Sequence, residues 1–339
     1  MATPTQPVAT DTIKRPLRDL RISVTDRCNF RCRYCMPREV FGPDHTFLKS
    51  DELLTFREIV RITEAGIALG VRKVRLTGGE PLMRRGIDDL VRSLSQLGDI
   101  DLAMTTNGVL LPRLADRLAD SGLKRVNISL DSLDDSIFHK VSDSVFTVRD
   151  VLAGISAAED AGLAPIKVNA VIRRGLNEGS VLPLAEHFRG TPHVLRFIEY
   201  MDVGATNGWN RAEVVPAADI LETISRVHPL DAVPPSHPGE VATRYRYRDG
   251  SGEIGVISSV SQPFCGSCSR ARISADGTMY TCLFASAGVS LRDLARSESD
   301  DVLRGAMARA WSIRDDRYSE LRATNTPRTP RIEMSYIGG

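Results

Sequence analysis

The sequence has almost no net charge. Its 44 lysines and arginines face 43 aspartates and glutamates, leaving +1 at neutral pH. No global field therefore draws the chain to nucleic acid or to an anionic membrane. It also lacks any run of about 18 apolar residues, so no membrane-spanning helix is expected. Spare cysteines are missing too. All six fall in two clusters, which leaves none for disulfides and points to a reducing, cytoplasmic compartment. A charged stretch followed by an apolar core is absent from the N-terminus, so residues 1–14 read as a disordered lead-in rather than a signal peptide. No convincing serine or histidine triad is present. What remains is an ordinary globular composition, 42% hydrophobic and 26% charged over 339 residues, enough for one large domain or two moderate ones.

The stretch around which the chain is organised is Cys28-Asn29-Phe30-Arg31-Cys32-Arg33-Tyr34-Cys35. Thiolates are soft ligands suited to zinc, copper(I) or iron–sulfur clusters. A cubane cluster takes four cysteines, and this loop supplies three, leaving one iron open to another ligand. A zinc site completed by a distant histidine such as His45 is the competing reading. The spacing C-x3-C-x2-C, with aromatic Tyr34 before the last cysteine, resembles the radical S-adenosylmethionine (SAM) superfamily. That resemblance implies a [4Fe–4S] cluster whose open iron binds SAM and whose electron cleaves it to a 5′-deoxyadenosyl radical.

Strand-like and helix-like segments then alternate. Strands are expected at Leu20–Val24, Lys73–Thr77, Asp101–Thr105, Arg125–Leu130, Ile166–Ile172 and Val194–Tyr200. Helical spacing marks 53–69, 87–97, 110–121, 148–161 and 181–188. Six βα repeats imply a parallel sheet. Alternation alone does not separate a flat doubly wound sheet from a barrel; the resemblance implies a partial (βα)6 TIM-type barrel. Function would then gather at the C-terminal ends of the strands. Gly78-Gly79-Glu80-Pro81, Thr105–Gly108, Ser129–Asp131, Lys167–Asn169 and Arg196–Met201 are expected there. The glycines would let backbone approach a ligand closely, although a simple loop turn also accounts for them.

Beyond Tyr200 the repeat stops. Cys265, Cys268 and Cys282 form a second three-cysteine set, C-x2-C-x13-C. Such pairs are often zinc knuckles, but no fourth Cys or His lies between Gln262 and Asp315, so an auxiliary cluster with its own open iron is the better reading. Arg270 and Arg272 share a face if extended, and their forks suit phosphate and purine acceptors; solvated surface charge is the bland alternative.

Together with the terminal Gly338-Gly339, these features resemble the GTP 3′,8-cyclase family of molybdenum cofactor biosynthesis, over residues 15–339. The resemblance implies a barrel at 15–204 and a region carrying the auxiliary cluster and the GTP site at 205–339. It implies two [4Fe–4S] clusters, SAM as cofactor and GTP as substrate. Cys28, Cys32 and Cys35 would hold one cluster and Cys265, Cys268 and Cys282 the other. Tyr34, Gly79, Ser129 and Met201 match SAM-contacting positions. Arg21, Arg75, Thr105, Lys167, Arg270, Ala271 and Arg272 match GTP-contacting ones. Arg21, Arg270, Arg272, Gly338 and Gly339 would serve catalysis, the two glycines as a tail entering the site. The expected partners are an electron donor such as flavodoxin or ferredoxin, the downstream cyclic pyranopterin monophosphate synthase, and a second copy in a homodimer. The adenosyl radical would take the ribose C3′ hydrogen, and C3′ would bond to guanine C8. A peptide-modifying radical SAM enzyme is the alternative within the superfamily. A zinc-stapled module without catalysis fits the strand pattern poorly.

These two cysteine sets predict about eight irons per anaerobically reconstituted chain. Replacing Cys28, Cys32 and Cys35 with Ala should leave about half and abolish SAM cleavage. Stoichiometric zinc with little iron would overturn both cluster assignments.

Overall fold

The structure, a computed structural model, describes residues 8–237, 239–322 and 331–338. Its six leading strands are β1 (Asp19–Ser23), β2 (Lys73–Thr77), β3 (Asp101–Thr106), β4 (Arg125–Ser129), β5 (Lys167–Ile172) and β6 (Val194–Glu199). Each end lies within a residue of expectation. The helices after them are α1 (Phe56–Ala68), α2 (Ile87–Ser95), α3 (Leu111–Asp120), α4 (Asp135–Ser142), α5 (Val148–Asp160) and α6 (Val181–Phe188). Helix α1 begins later than its apolar spacing suggests. Thr55 caps it, accepting from the Glu58 amide at 3.2 Å while the Glu58 carboxylate accepts from the Thr55 amide at 2.6 Å. That reciprocal box fixes the first turn. Helix α4 went unread in the sequence although Asp134 caps it, accepting from the Ser136 and Ile137 amides.

The C-terminal region adds α7 (Ala217–Ser225), β7 (Leu230–Val233), β8 (Thr243–Tyr247), β9 (Glu253–Ile257), β10 (Arg270–Ile273), β11 (Thr278–Tyr280) and β12 (Val289–Ser290). Helices α8 (Arg292–Ser297), α9 (Asp300–Ser312), α10 (Tyr318–Leu321) and α11 (Met334–Ile337) follow. Its strands join the same sheet, in the order β12-β11-β10-β1-β2-β3-β4-β5-β6-β9-β8-β7. Strand β10 pairs parallel with β1, and β9 parallel with β6. The six-strand expectation therefore grows to eight parallel strands with antiparallel hairpins on both edges. The reason is that the hairpin strands β7 and β8 come between α7 and β9, and only the second cysteine turn lies between β9 and β10, so no simple βα repeat announces them.

Period-two alternation decides which face is which. Leu20, Ile22, Val74, Leu76, Leu102, Met104, Val126, Ile128, Val168 and Ile273 are buried in the core against the helices. Each buried side chain of this kind is worth about 1.5–3 kcal/mol. The intervening positions, Asp19, Arg21, Lys73, Arg75, Thr105, Lys167, Arg196, Arg270 and Arg272, line the opposite, concave face. A closed TIM barrel fills that space with branched apolar side chains; here it is a polar lumen.

The N-terminal lead-in needs correction over its described part. The Ala9 amide donates to Leu69, and the fully buried Asp11 carboxylate pairs with Arg15 (2.5 Å) and Arg314 (3.1 Å). A buried ion triad explains why this polar segment is ordered. Residues 1–7 lie outside the described residues.

Gly154 sits inside α5, where a Cβ would overlap the Gly108 carbonyl oxygen after β3. Alanine normally strengthens a helix interior by about 0.5–1 kcal/mol. Gly154→Ala should instead destabilise the chain by about 1–3 kcal/mol, read as a lower urea midpoint. An unchanged or raised midpoint would show that α5 can move away.

Candidate active site

The first cysteine loop leaves β1 at the C-terminal mouth of the barrel. Arg31 clamps it, donating to the Cys28 carbonyl (2.7 Å) and the Phe41 carbonyl (2.7 Å), while the Arg31 and Arg33 amides donate to the end of α4. Phe30 packs edge-on against Phe138. Gly78 and Gly79 are needed for packing within the protein. A Cβ on Gly78 (φ +146°) would stand 2.5 Å from the Thr25 carbonyl oxygen, and one on Gly79 would overlap that of Arg27. The Gly79 and Glu80 amides bond to those two carbonyls. Close approach is thus backbone to backbone, and it fixes Gly78-Gly79 beside the cysteine loop. Glu80 is buried and accepts from the Thr106 hydroxyl and the Asn107 and Leu82 amides. Burial nonetheless raises its pKa to about 7. Tyr34 donates to Asp131 at 2.9 Å, and burial raises the Asp131 pKa to about 6.

The second cysteine set lies at the other end. Cys265 and Cys268 immediately precede β10, which runs parallel to β1, and Cys282 follows β11, antiparallel to β10. A five-residue strand spans about 16 Å, so that is the scale separating the two sets. Arg15 donates to the Cys265 carbonyl and Arg314 to that of Cys268, both at 2.8 Å, so the N-terminal ion triad braces this loop.

Between the ends runs one cavity of about 870 Å³ that reaches all six cysteines. Arg21, Lys73, Arg75, Lys167, Arg196, Arg270 and Arg272 crowd its wall. Burial first, and mutual repulsion second, lowers Arg21 to about 9 and Lys73 and Lys167 to about 8. Arg272 is pushed well below its usual value by the same causes. Cys268 goes the other way: burial raises it, but Arg270 and Arg314 outweigh that and bring it to about 6. Arg21 Nε, Arg75 Nε, Thr105 Oγ1 and one Arg272 Nη are buried without a partner. Unpartnered donors of this kind are costly. They fit a ligand rich in anionic oxygens.

The expected site residues divide as follows. Tyr34, Gly79, Ser129 and Met201 line the cysteine-loop mouth, and Arg21, Arg75, Thr105, Lys167, Arg270 and Arg272 line the lumen. Two placements need correction. Lys167 is the first residue of β5 and Arg196 lies mid-strand in β6, not at C-terminal ends, and Arg21 and Arg75 are mid-strand as well. The Ala271 side chain is fully buried in the apolar core, because it alternates with the two arginines. Gly338 sits against Thr77, where a Cβ would overlap the threonine methyl; Gly339 lies outside the described residues. Lys73 was missed as a wall residue, while Glu80, Asp131, Asn169 and Arg196 fell within the expected stretches but were given no role of their own. The polar–apolar alternation of Lys73-Val74-Arg75-Leu76-Thr77 was the available signal for the first.

The donor sets fit clusters. All six cysteines are free and half-buried. Burial raises Cys28 to about 12, so metal binding there would release protons.

A partial parallel barrel with a three-cysteine loop at its C-terminal mouth defines a radical SAM protein. The radical SAM superfamily model matches residues 22–188, and the Molybdenum Cofactor Synthesis C model residues 193–320. The structure is similar to Streptococcus suis SuiB bound to S-adenosylmethionine, with TM-score 0.63 over 94% of this chain and 76% of that one; at 15% identity this speaks for the fold alone. Relatives named GTP 3′,8-cyclase are far more similar in sequence. That of Acidothermus cellulolyticus is 54% identical over 99% of this chain and all of its own length. Those of Xanthomonas axonopodis pv. citri (49%) and Staphylococcus aureus (47%) each cover 97% of this chain and 98% of their own. The chain belongs to the GTP 3′,8-cyclase family. As a radical SAM enzyme it uses a [4Fe–4S] cluster and SAM.

Two lysines titrating near 8 give the lumen a measurable pH dependence. They are depressed bases, charged below about 8 and neutral above, so polyanion affinity should weaken as pH rises through 8–9. Inorganic triphosphate should raise the melting temperature at pH 7 more than at pH 9. Lys73→Met with Lys167→Met should flatten that difference. An equal shift at both pH values in the parent chain would place the anion elsewhere.

Proposed function

We propose that this chain closes GTP to (8S)-3′,8-cyclo-7,8-dihydroguanosine 5′-triphosphate, the first step of molybdenum cofactor biosynthesis. The observation that carries the reading is a single cationic lumen with a cysteine triad at each end. Cys28, Cys32 and Cys35 would hold a cluster that, when bound, would supply the electron for reductive cleavage of SAM. Residues 15–204 form the SAM-binding unit; residues 205–339 bring Cys265, Cys268 and Cys282, which hold a second [4Fe–4S] cluster.

Tyr34, Gly79, Ser129 and Met201 hold SAM at the upper mouth. Arg21, Arg75, Thr105, Lys167 and Arg270–Arg272 hold GTP in the lumen, Ala271 through its backbone. Charge-assisted forks to a triphosphate relieve the unpartnered donors of Arg21, Arg75 and Arg272. The chemistry needs no general base. One hydrogen would leave ribose C3′ for the 5′ carbon supplied by SAM, the C3′–C8 bond would form, and one electron with one proton would complete the product. The protein's part is to hold C3′ near the radical and keep water out. Arg21, Arg270, Arg272, Gly338 and Gly339 complete the reacting end. A flavodoxin or ferredoxin supplies electrons, cyclic pyranopterin monophosphate synthase takes the product, and the enzyme works in the cytoplasm as a homodimer. Among the described residues no helix is long and apolar enough to cross a membrane. Peptide modification is set aside because relatives at 45–54% identity share nearly the whole chain.

Reconstituted chain given SAM, reductant and GTP should yield 5′-deoxyadenosine and the cyclised nucleotide together; deoxyadenosine formation with no nucleotide product would refute the assignment. Gly338→Ala should keep both clusters and SAM binding but cut product by about a hundredfold, since a small displacement costs that much. Pairing it with Thr77→Ser removes the methyl that the new Cβ strikes and should restore part of the loss. Full turnover by Gly338→Ala would show that the reaction does not need a glycine at that position.

A further inference from the structure

The tail from Arg331 to Gly338 does not lie loosely on the barrel. Ser335 and Ile337 are buried, and the Ile332 amide donates to the Ala285 carbonyl at 3.0 Å, three residues beyond Cys282. Two side chains bind it to the loop after β6. The Glu333 carboxylate accepts from the Ala205 amide (2.9 Å) and the Thr206 hydroxyl (3.0 Å). Arg331 donates to the Asp202 carboxylate at 3.1 Å and also to its backbone carbonyl.

Asp202 is the node. Its carboxylate also accepts from Arg322 Nε at 2.9 Å and from the Tyr318 hydroxyl. Arg322 reaches on to the Ser259 carbonyl at 3.0 Å. Tyr318 stacks on Phe284, ring centroids 4.5 Å apart, and both guanidinium groups lie within 6 Å of both rings. Phe284 in turn bonds through its amide to Cys282 Sγ. The carboxylate is 10% exposed and the two arginines 14% and 8%. Pairs this desolvated are strongly felt when one partner is removed. One carboxylate therefore ties together the loop that follows Met201, the loop that follows Cys282, and the tail.

We infer that Asp202 is the positioning residue that seats the C-terminal tail, acting through Arg331, so that the tail docks only when the loops from both ends of the lumen are in register. The inference rests on the proposed entry of the tail into the active site. It adds the residue that holds the tail there. Asp202 touches no reacting atom.

Hydrogen exchange on the intact chain reads seating directly, whatever the substrate. Asp202→Asn and Arg331→Gln should each speed exchange across 331–338 by roughly tenfold or more, with the sheet unchanged. The double variant should be no worse than either single one, because both break the same link. In the reconstituted enzyme each variant should lower cyclised product relative to 5′-deoxyadenosine, with the KM for SAM unchanged. Additive effects on exchange would overturn the route through Arg331. Unchanged exchange in Arg331→Gln, a substitution in the tail itself, would overturn the inference even if Asp202→Asn failed to fold. Faster exchange without loss of coupling would leave Asp202 as the tail's anchor and refute instead the tail's part in catalysis.

Discussion

Arg21, Lys73, Arg75, Lys167, Arg196, Arg270 and Arg272 share one buried lumen. Keeping them charged there is the constraint on which the remaining structure depends. Two like charges 4 Å apart repel by about 4 kcal/mol at the effective dielectric typical near a protein surface. Asp19 offsets part of this; although its own burial opposes ionisation, Arg21 and Arg75 keep it below the usual carboxylate range. The Asn127 amide, with its oxygen turned to the cations, takes bonds from Arg75 and Arg196, and Asn169 accepts twice from Arg196. The remaining repulsion is held in check by the apolar core on the other side of the sheet. Alternation along each strand makes the two faces inseparable, since every lumen cation is flanked by residues anchored against the helices.

The same cations explain why the two cysteine sets differ. At the β1 mouth the neighbours are acidic, with Glu80 beside Cys28 and Asp131 beside Cys32, and burial drives those thiols upward. At the far end Arg270 donates to Cys268 Sγ at 3.4 Å, and the thiol is ionised near neutrality. A nucleotide with its triphosphate among the arginines and its base toward Cys268 would lie along this gradient, its ribose nearer the SAM end.

Much of this was legible in the sequence. The β-branched runs Lys73–Thr77 and Val194–Glu199, and the apolar spacing of α6, are local signals, and they landed within a residue. The cysteine spacing is local as well. What escaped was everything decided by tertiary pairing. Helix α4 has a cap and an apolar face, but its role, holding the backbone of Arg31 and Arg33, appears only once the cysteine loop folds over it. The ordering of Ala9–Lys14 depends on Arg314, some 300 residues away (|i−j| = 303 for Asp11). Gly78 and Gly79 looked like a ligand-approach site, and the neighbour that needs them is the backbone of Thr25–Arg27.

The pairing of β10 with β1 shows how a distant segment completes the site. Its register sets Arg270 opposite Asp19 and Arg272 opposite Arg21. A slip of one residue would turn both arginines into the apolar core and put Ala271 in the lumen. The electrostatics of the lumen are divided on the native choice: it sets Arg270 against Asp19 but brings Arg272 beside Arg21. The outward face favours it: Ala271 and Ile273 fit, fully buried, within the apolar core, where a guanidinium would be left without water or partner. Hydrophobic burial on one face of a single short strand therefore imposes cationic crowding on the other, and that crowding is what a polyphosphate substrate relieves.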